Sequence, residues 1–125
     1  MRVLIVEDEA IIVMHLEMLV TEFGHEVCAT AESAAEAIAH AALHSPDVVL
    51  MDIRLRGGSS GIDAARELYT RQALRCIFLS ANLDETTKAV LSAYEPIEFL
   101  GKPVLPILLQ QALKKAEGLS ELQSG

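Results

Sequence analysis

Short apolar runs rich in β-branched residues alternate along the chain with longer segments whose apolar residues recur at helical spacing. The short runs, at Val3–Val6, Glu26–Thr30, Asp47–Met51, Arg75–Leu79 and Ile97–Leu100, are predicted strands. In the first longer segment Ile12, Leu16, Leu19 and Phe23 share one helix face, and Gly24 follows as a good C-terminal residue. The second opens with Ser33-Ala-Ala-Glu36, the spacing at which a serine and a glutamate side chain each satisfy the other's free backbone N–H, and it ends before Pro46. The third begins near Ser60 and carries Ala64, Ala65 and Leu68. The fourth, Asp84 to Tyr94 with Pro96 beyond it, has the weakest apolar face, which predicts mobility there. The fifth has Pro106 near its first turn, followed by a stripe of Leu105, Leu108, Leu109, Ala112 and Leu113. Methionines and leucines at helical spacing are expected in the core. The chain after Gly118 is expected to fray.

This βαβαβαβαβα order predicts an α/β fold, a parallel sheet covered by helices on both faces. Right-handed crossovers make it doubly wound. No repeat or linker divides the sequence, so one domain is expected over residues 1–118, with 119–125 as a tail. A length of 125 residues, 51% of them apolar, suffices for a core without disulfides. Cys28 and Cys76 stand alone in strand-like stretches and read as reduced thiols. Met1 runs directly into a strand, unlike a signal peptide, and no apolar run approaches the roughly 18 residues of a membrane span. A cytoplasmic protein is expected. The formal charge of −8 argues against nucleic acid and anionic membrane surfaces as partners.

In open α/β sheets the functional site lies beyond the C-terminal strand ends. Glu7, Asp8 and Glu9 follow the first strand, Asp52 the third, Ser80 the fourth, and Lys102 with Pro103 the fifth. If the first and third strands are neighbours, Glu7, Asp8 and Asp52 crowd together. Like charges so placed raise one another's pKa, so a cation or a function must compensate. Mg²⁺ suits such a set, because it takes oxygen ligands, keeps waters and shares a phosphate. Lys102 offers an opposing charge and Ser80 a hydroxyl donor. A carboxylate nucleophile, a metal, a cation and a hydroxyl are the parts of a phosphoryl-transfer site.

Leu4-Ile-Val-Glu-Asp-Glu9, Pro46-Asp-Val-Val-Leu-Met-Asp-Ile53, Ser80-Ala81 and Phe99-Leu-Gly-Lys-Pro103 together resemble the bacterial response-regulator receiver domains, over about Arg2 to Ala116. The resemblance implies a flavodoxin-like (βα)5 sheet in the order 2-1-3-4-5. It implies that Asp52 accepts a phosphoryl group from a histidine kinase or phosphotransfer protein. Asp8 and Asp52 would be ligands of Mg²⁺ (or Mn²⁺), with Glu7 acting through metal-bound water and Arg54 lending its backbone carbonyl. Ser80 would be the switch hydroxyl and Phe99 the switch aromatic, and the Lys102–Pro103 peptide would be cis. The chain would catalyse its own phosphorylation and dephosphorylation, without turning over a separate substrate. A downstream protein would read the face made by the fourth helix, fifth strand and fifth helix, with no output domain in this chain. Homodimerisation is a further route for the signal. The loop Leu55-Arg-Gly-Gly-Ser-Ser-Gly61 departs from the family in lacking its usual proline.

Two other classes compete. A haloacid-dehalogenase-like phosphatase shares the aspartate nucleophile but wants a second aspartate two residues on, where this chain has Arg54. A flavodoxin-like module without phosphorylation would need the carboxylates to be incidental. Other features read as bland. His40 and His44 have metal-compatible spacing but no third ligand, and read as a solvated helix face. Gly57-Gly58 with Gly61 fits no nucleotide-binding fingerprint and reads as a flexible loop.

Overall fold

A computed structural model describes residues 1–55 and 60–124. The strands are β1 (Arg2–Val6), β2 (Glu26–Ala31), β3 (Val48–Asp52), β4 (Cys76–Ser80) and β5 (Glu98–Gly101). The helices are α1 (Ala10–Glu22), α2 (Ala34–His44), α3 (Gly61–Gln72), α4 (Glu85–Leu91) and α5 (Pro106–Ser124). All strand pairs are parallel, in the order β2-β1-β3-β4-β5. This is the predicted flavodoxin-like α/β fold.

Alternating strand residues feed two apolar layers. Val3, Ile5, Val48 and Leu50 pack with Leu16, Leu19 and Val20 of α1 and Leu109, Leu113 and Ala116 of α5. Leu4, Val6, Val49 and Met51 pack on the other face with Ala37 and Ala41 of α2, Ala64, Ala65 and Leu68 of α3, and Leu91 of α4. Small alanines let α2 and α3 approach the sheet closely. Cys76 is buried and its thiol is pushed up to about 12 by that burial. Cys28 is half-buried; both are free thiols.

Three differences from the sequence reading have physical reasons. The strands bearing Asp52 and Ser80 run one residue later than expected, because the ladder continues past them: Ile53 N–H donates to Leu79 and Lys102 N–H to Ser80. Asp52 and Ser80 are thus the last strand residues rather than the first loop residues. The fourth helix stops at Leu91 and tightens into a 3₁₀ turn, Ser92–Tyr94, before Glu95 adopts a left-handed conformation (φ 48°). Proline disfavours the α region for the residue before it, which accounts for that ending. The last helix continues past Gly118 to Ser124, its extra turn anchored by Leu119 on the core.

The expectation that helical methionines and leucines are core fails in part. Met14 and Met18 on α1 are 69% and 53% exposed, and Leu43, Leu105 and Leu108 are exposed as well. The glycine pair Gly57-Gly58, expected in a flexible loop, lies outside the described residues.

Candidate functional site

The β1/β3 register pairs Val6 with Met51. Glu7 and Asp52, one step on, therefore meet at the same sheet end. Glu7 is 1% exposed and Asp52 4%. Two buried carboxylates this close would be untenable alone. Lys102, brought in from the end of β5, donates from Nζ to Glu7 Oε2 at 2.7 Å and to Asp52 Oδ2 at 3.0 Å. The other oxygen of each acid is also engaged. Glu7 Oε1 accepts the N–H groups of Asp8 (3.1 Å) and Glu9 (3.2 Å). Asp52 Oδ1 accepts Arg54 N–H at 3.0 Å.

Electrostatics follow from this wiring. Burial raises the Glu7 carboxyl; the Lys102 bond pulls it back, Asp52 pushes it up again, and the net result stays above the ordinary carboxylate range. Burial pulls the Lys102 ammonium down, but its bonds to Glu7 and Asp52 outweigh that and hold it above the ordinary lysine range.

Above this pair opens a cavity of about 490 Å³ whose lining includes Asp8, Asp52, Arg54, Ser80 and Lys102. Glu7 is not in the lining; it sits behind Lys102. One carboxylate oxygen each from Glu7, Asp8 and Asp52 lies within 4.8 Å of the others. An all-oxygen set of this kind fits a hard divalent cation. Ser80 is 4% exposed, and its Oγ accepts Asn82 N–H at 3.1 Å.

Phe99 is not brought into the cavity. It stacks on buried Phe78 (centroids 5.5 Å apart, 20° between planes), and Lys88 Nζ lies 5.8 Å from its ring. The register pairs Phe78 with Phe99 and Ser80 with Gly101, so Ser80 and Phe99 face the same side of the sheet. The Lys102–Pro103 peptide is cis. His40 and His44 stack with centroids 5.8 Å apart and join no three-residue ligand group among the described residues.

Sequence reasoning missed Gly61. A Cβ there would lie 2.1 Å from the Asp52 carbonyl oxygen and 2.8 Å from Ile53 Cα. Only glycine lets α3 begin hard against the strand end that carries Asp52, where Gly61 N–H donates to the Ile53 carbonyl at 3.0 Å. The signal was a glycine beside the Ser60 cap, easily read as mere loop composition. Glu9, named after the first strand without a role, also lines the cavity, as do Ile12 and Leu55, neither of which was read as a site residue.

Comparison with known proteins gives a consistent set of similarities. The family model "Response regulator receiver domain" matches residues 3–114. The phyllosphere-induced regulator PhyR of Methylorubrum extorquens is 34% identical over 116 residues, 92% of this chain and 43% of that protein. The transcriptional regulatory protein PdtaR of Mycobacterium tuberculosis is 41% identical over 80 residues, 64% of this chain and 38% of that protein. The chain thus spans about two-fifths of the length of these curated relatives. Among solved structures, the signal receiver domain of a modulated diguanylate cyclase from Desulfovibrio desulfuricans superimposes with a TM-score of 0.88 at 29% identity, covering 98% of this chain and 97% of that one.

Proposed function

This chain belongs to the response regulator receiver domain family of two-component signalling, and on that premise we propose that it is a phospho-accepting switch in which Asp52 takes a phosphoryl group from a histidine kinase or phosphotransfer protein. The observation that carries the reading is the Lys102 ammonium bound to Asp52 and Glu7 at the floor of an open, carboxylate-lined cavity. Asp8, Asp52 and the Arg54 carbonyl would hold Mg²⁺, with Glu7, whose oxygens are already bonded, acting through water. When bound, the metal neutralises the carboxylates and polarises the oxygens of the transferring group.

The chain's own groups do the rest. An Asp52 oxygen attacks phosphorus in line, and the phosphorus–nitrogen bond of the donor breaks toward its imidazole. Lys102 stabilises the charge on the phosphoryl oxygens. Ser80 gives up its contact with Asn82 and turns its hydroxyl to the phosphoryl group. Phe99 shifts with it, and the face of α4, β5 and α5 changes population between two states. That face holds a groove of about 440 Å³ lined by Glu98, Phe99, Leu108 and Lys115, suited to a downstream protein. The donor protein docks beside the cavity mouth, where Ile11 and Met14 of α1 expose apolar surface next to Ile12 in the lining.

Intact mass after incubation with acetyl phosphate tests this. One phosphoryl group gained with Mg²⁺, and none in Asp52→Asn, is the expected result. Equal labelling of Asp52→Asn overturns the assignment. No described helix is long and apolar enough to cross a membrane.

A further inference from the structure

The two ends of α4 are held very differently. From residue 81 to residue 90 no side chain is buried. The N-terminal end rests on its own cap, Asp84 accepting Thr87 N–H at 2.7 Å, on the bond from Asn82 N–H to Ser80, on half-buried Leu83 against the core, and on Lys88 beside the Phe99 ring. Beyond it the picture reverses. Leu91 is wholly buried, and Ile97 N–H donates to the Cys76 carbonyl at 2.9 Å. Between them Glu95 is gripped twice. Its carboxylate accepts the Tyr69 hydroxyl at 2.5 Å, and its backbone carbonyl accepts Arg75 Nε at 2.6 Å. The Tyr69 and Tyr94 rings meet at 6.1 Å, tilted by 55°. Tyr69 stands on α3 beside fully buried Leu68, so the grip is on a rigid element. The same bond to Glu95 holds the Tyr69 phenol above its ordinary pKa.

We propose that Tyr69, Glu95 and Arg75 form a latch that makes the C-terminal end of α4 a fixed pivot, so that α4 opens and swings from its Asn82 end. Tyr69 and Glu95 are positioning residues in this scheme. The role of the swing in signalling rests on the phosphoryl reading above; the latch itself does not. The Ser80–Asn82 bond is the trigger, because a Ser80 hydroxyl drawn into the cavity releases the end of α4 whose one core contact, Leu83, is only half-buried. The left-handed Glu95 closes the 3₁₀ turn between α4 and β5, so the latch grips the chain at that junction.

Amide hydrogen exchange on the full chain tests the latch. In the unmodified protein, residues 82–88 should exchange faster than residues 92–97. Tyr69→Phe keeps the ring contact with Tyr94 but removes the hydroxyl. It should speed exchange across 92–97 by about five-fold, the loss of one hydrogen bond to a carboxylate at a solvent-exposed site. Glu95→Ala should do the same. Glu95→Gln keeps an acceptor oxygen and should restore most of the protection, which a merely structural role of residue 95 would not require. After acetyl phosphate and Mg²⁺, with uptake verified by intact mass, residues 82–88 should change and 92–97 should not. Unaltered exchange at 92–97 in Tyr69→Phe overturns the latch, as does an equal change at both ends on phosphorylation. If no phosphoryl group is gained, the phosphoryl reading fails, while the Tyr69→Phe and Glu95 variants still decide the latch in the unmodified protein.

Discussion

Replacing Lys102 with methionine, which keeps the length of the stem and removes the charge, leaves Glu7 and Asp52 facing each other without a cation. Both acids are nearly inaccessible, at 1% and 4% exposed. Removing one partner of a buried ion pair costs about 3–5 kcal/mol. Two features place this case at the lower end. The Lys102 side chain is 17% exposed, so part of its own desolvation was never incurred. Glu7 also keeps two backbone N–H donors, from Asp8 and Glu9. A loss of about 3 kcal/mol is therefore expected, or roughly a 12 °C fall in Tm for a domain of this size at about 4 °C per kcal/mol. The assay is thermal and urea unfolding followed by circular dichroism in EDTA. Adding Glu7→Gln to Lys102→Met removes the stranded charge and should recover about 2 kcal/mol, a coupling that a double-mutant cycle reads directly. The sign with pH is also fixed. Glu7 has a raised folded pKa, so its ionised form is a cost, present above the folded value and relieved as pH falls through it toward the ordinary carboxylate range. Losing the Lys102 bond raises Glu7 further in the variant, so the deficit of Lys102→Met should shrink as pH falls from the variant's folded value to the parent's. A variant within 0.5 kcal/mol of the parent, or a double variant that is simply worse than either single one, refutes the reasoning.

Gly61→Ala drives a methyl group into the backbone of Asp52 and Ile53 and should cost about 3 kcal/mol in urea unfolding. Gly118→Ala, in the exposed part of α5 with no described heavy atom within 4 Å of the new methyl, should instead stabilise by about 0.5–1 kcal/mol. Asp84 is held below its usual pKa by the N–H of Thr87, so its cap on α4 persists above the unfolded value and is lost as pH falls through the folded one. Exchange at Thr87 should rise over that acid range in the parent and stay level in Asp84→Asn. Saturating Mg²⁺, at about 100 times its dissociation constant, should stabilise the parent by about 2.7 kcal/mol in thermal scans and Asp8→Asn far less.

Hydrophobic periodicity located all ten elements because strand and helix periods differ so plainly in this chain. It also oriented α1 correctly, but it overreached in assigning every helical methionine and leucine to the core. In α1, Leu16 and Leu19 face the core as the stripe predicts, yet Met14 and Met18 share the same spacing and point to solvent. Apolar residues outside the stripe are left to solvent because α1 meets the sheet on one side only. The end of α4 was illegible because its grip comes from Tyr69 and Arg75 on other elements. Asp8, Asp52, Ser80 and Lys102 stood out because each follows an apolar run. Their mutual bonds did not: Lys102 and Glu7 lie 95 residues apart, and only the parallel order brings their strand ends together.

That pairing explains an oddity of the site, that its most buried acid does not face the cavity. Glu7 lies behind Lys102, and all its oxygens are bonded to the protein. Its negative charge holds the Lys102 ammonium in place whether or not Asp52 is modified. A lysine anchored only by Asp52 would be free to leave when that carboxylate became an acyl phosphate. Anchored by Glu7 as well, it would stay beside the phosphoryl oxygens that the proposed function places on Asp52. Glu7→Gln weakens this anchor but leaves Asp52, Asp8 and the cavity lining intact. It should therefore slow phosphoryl uptake from acetyl phosphate at saturating Mg²⁺ while Asp52 remains the site labelled. Unchanged uptake by Glu7→Gln would show that Asp52 alone suffices to place Lys102.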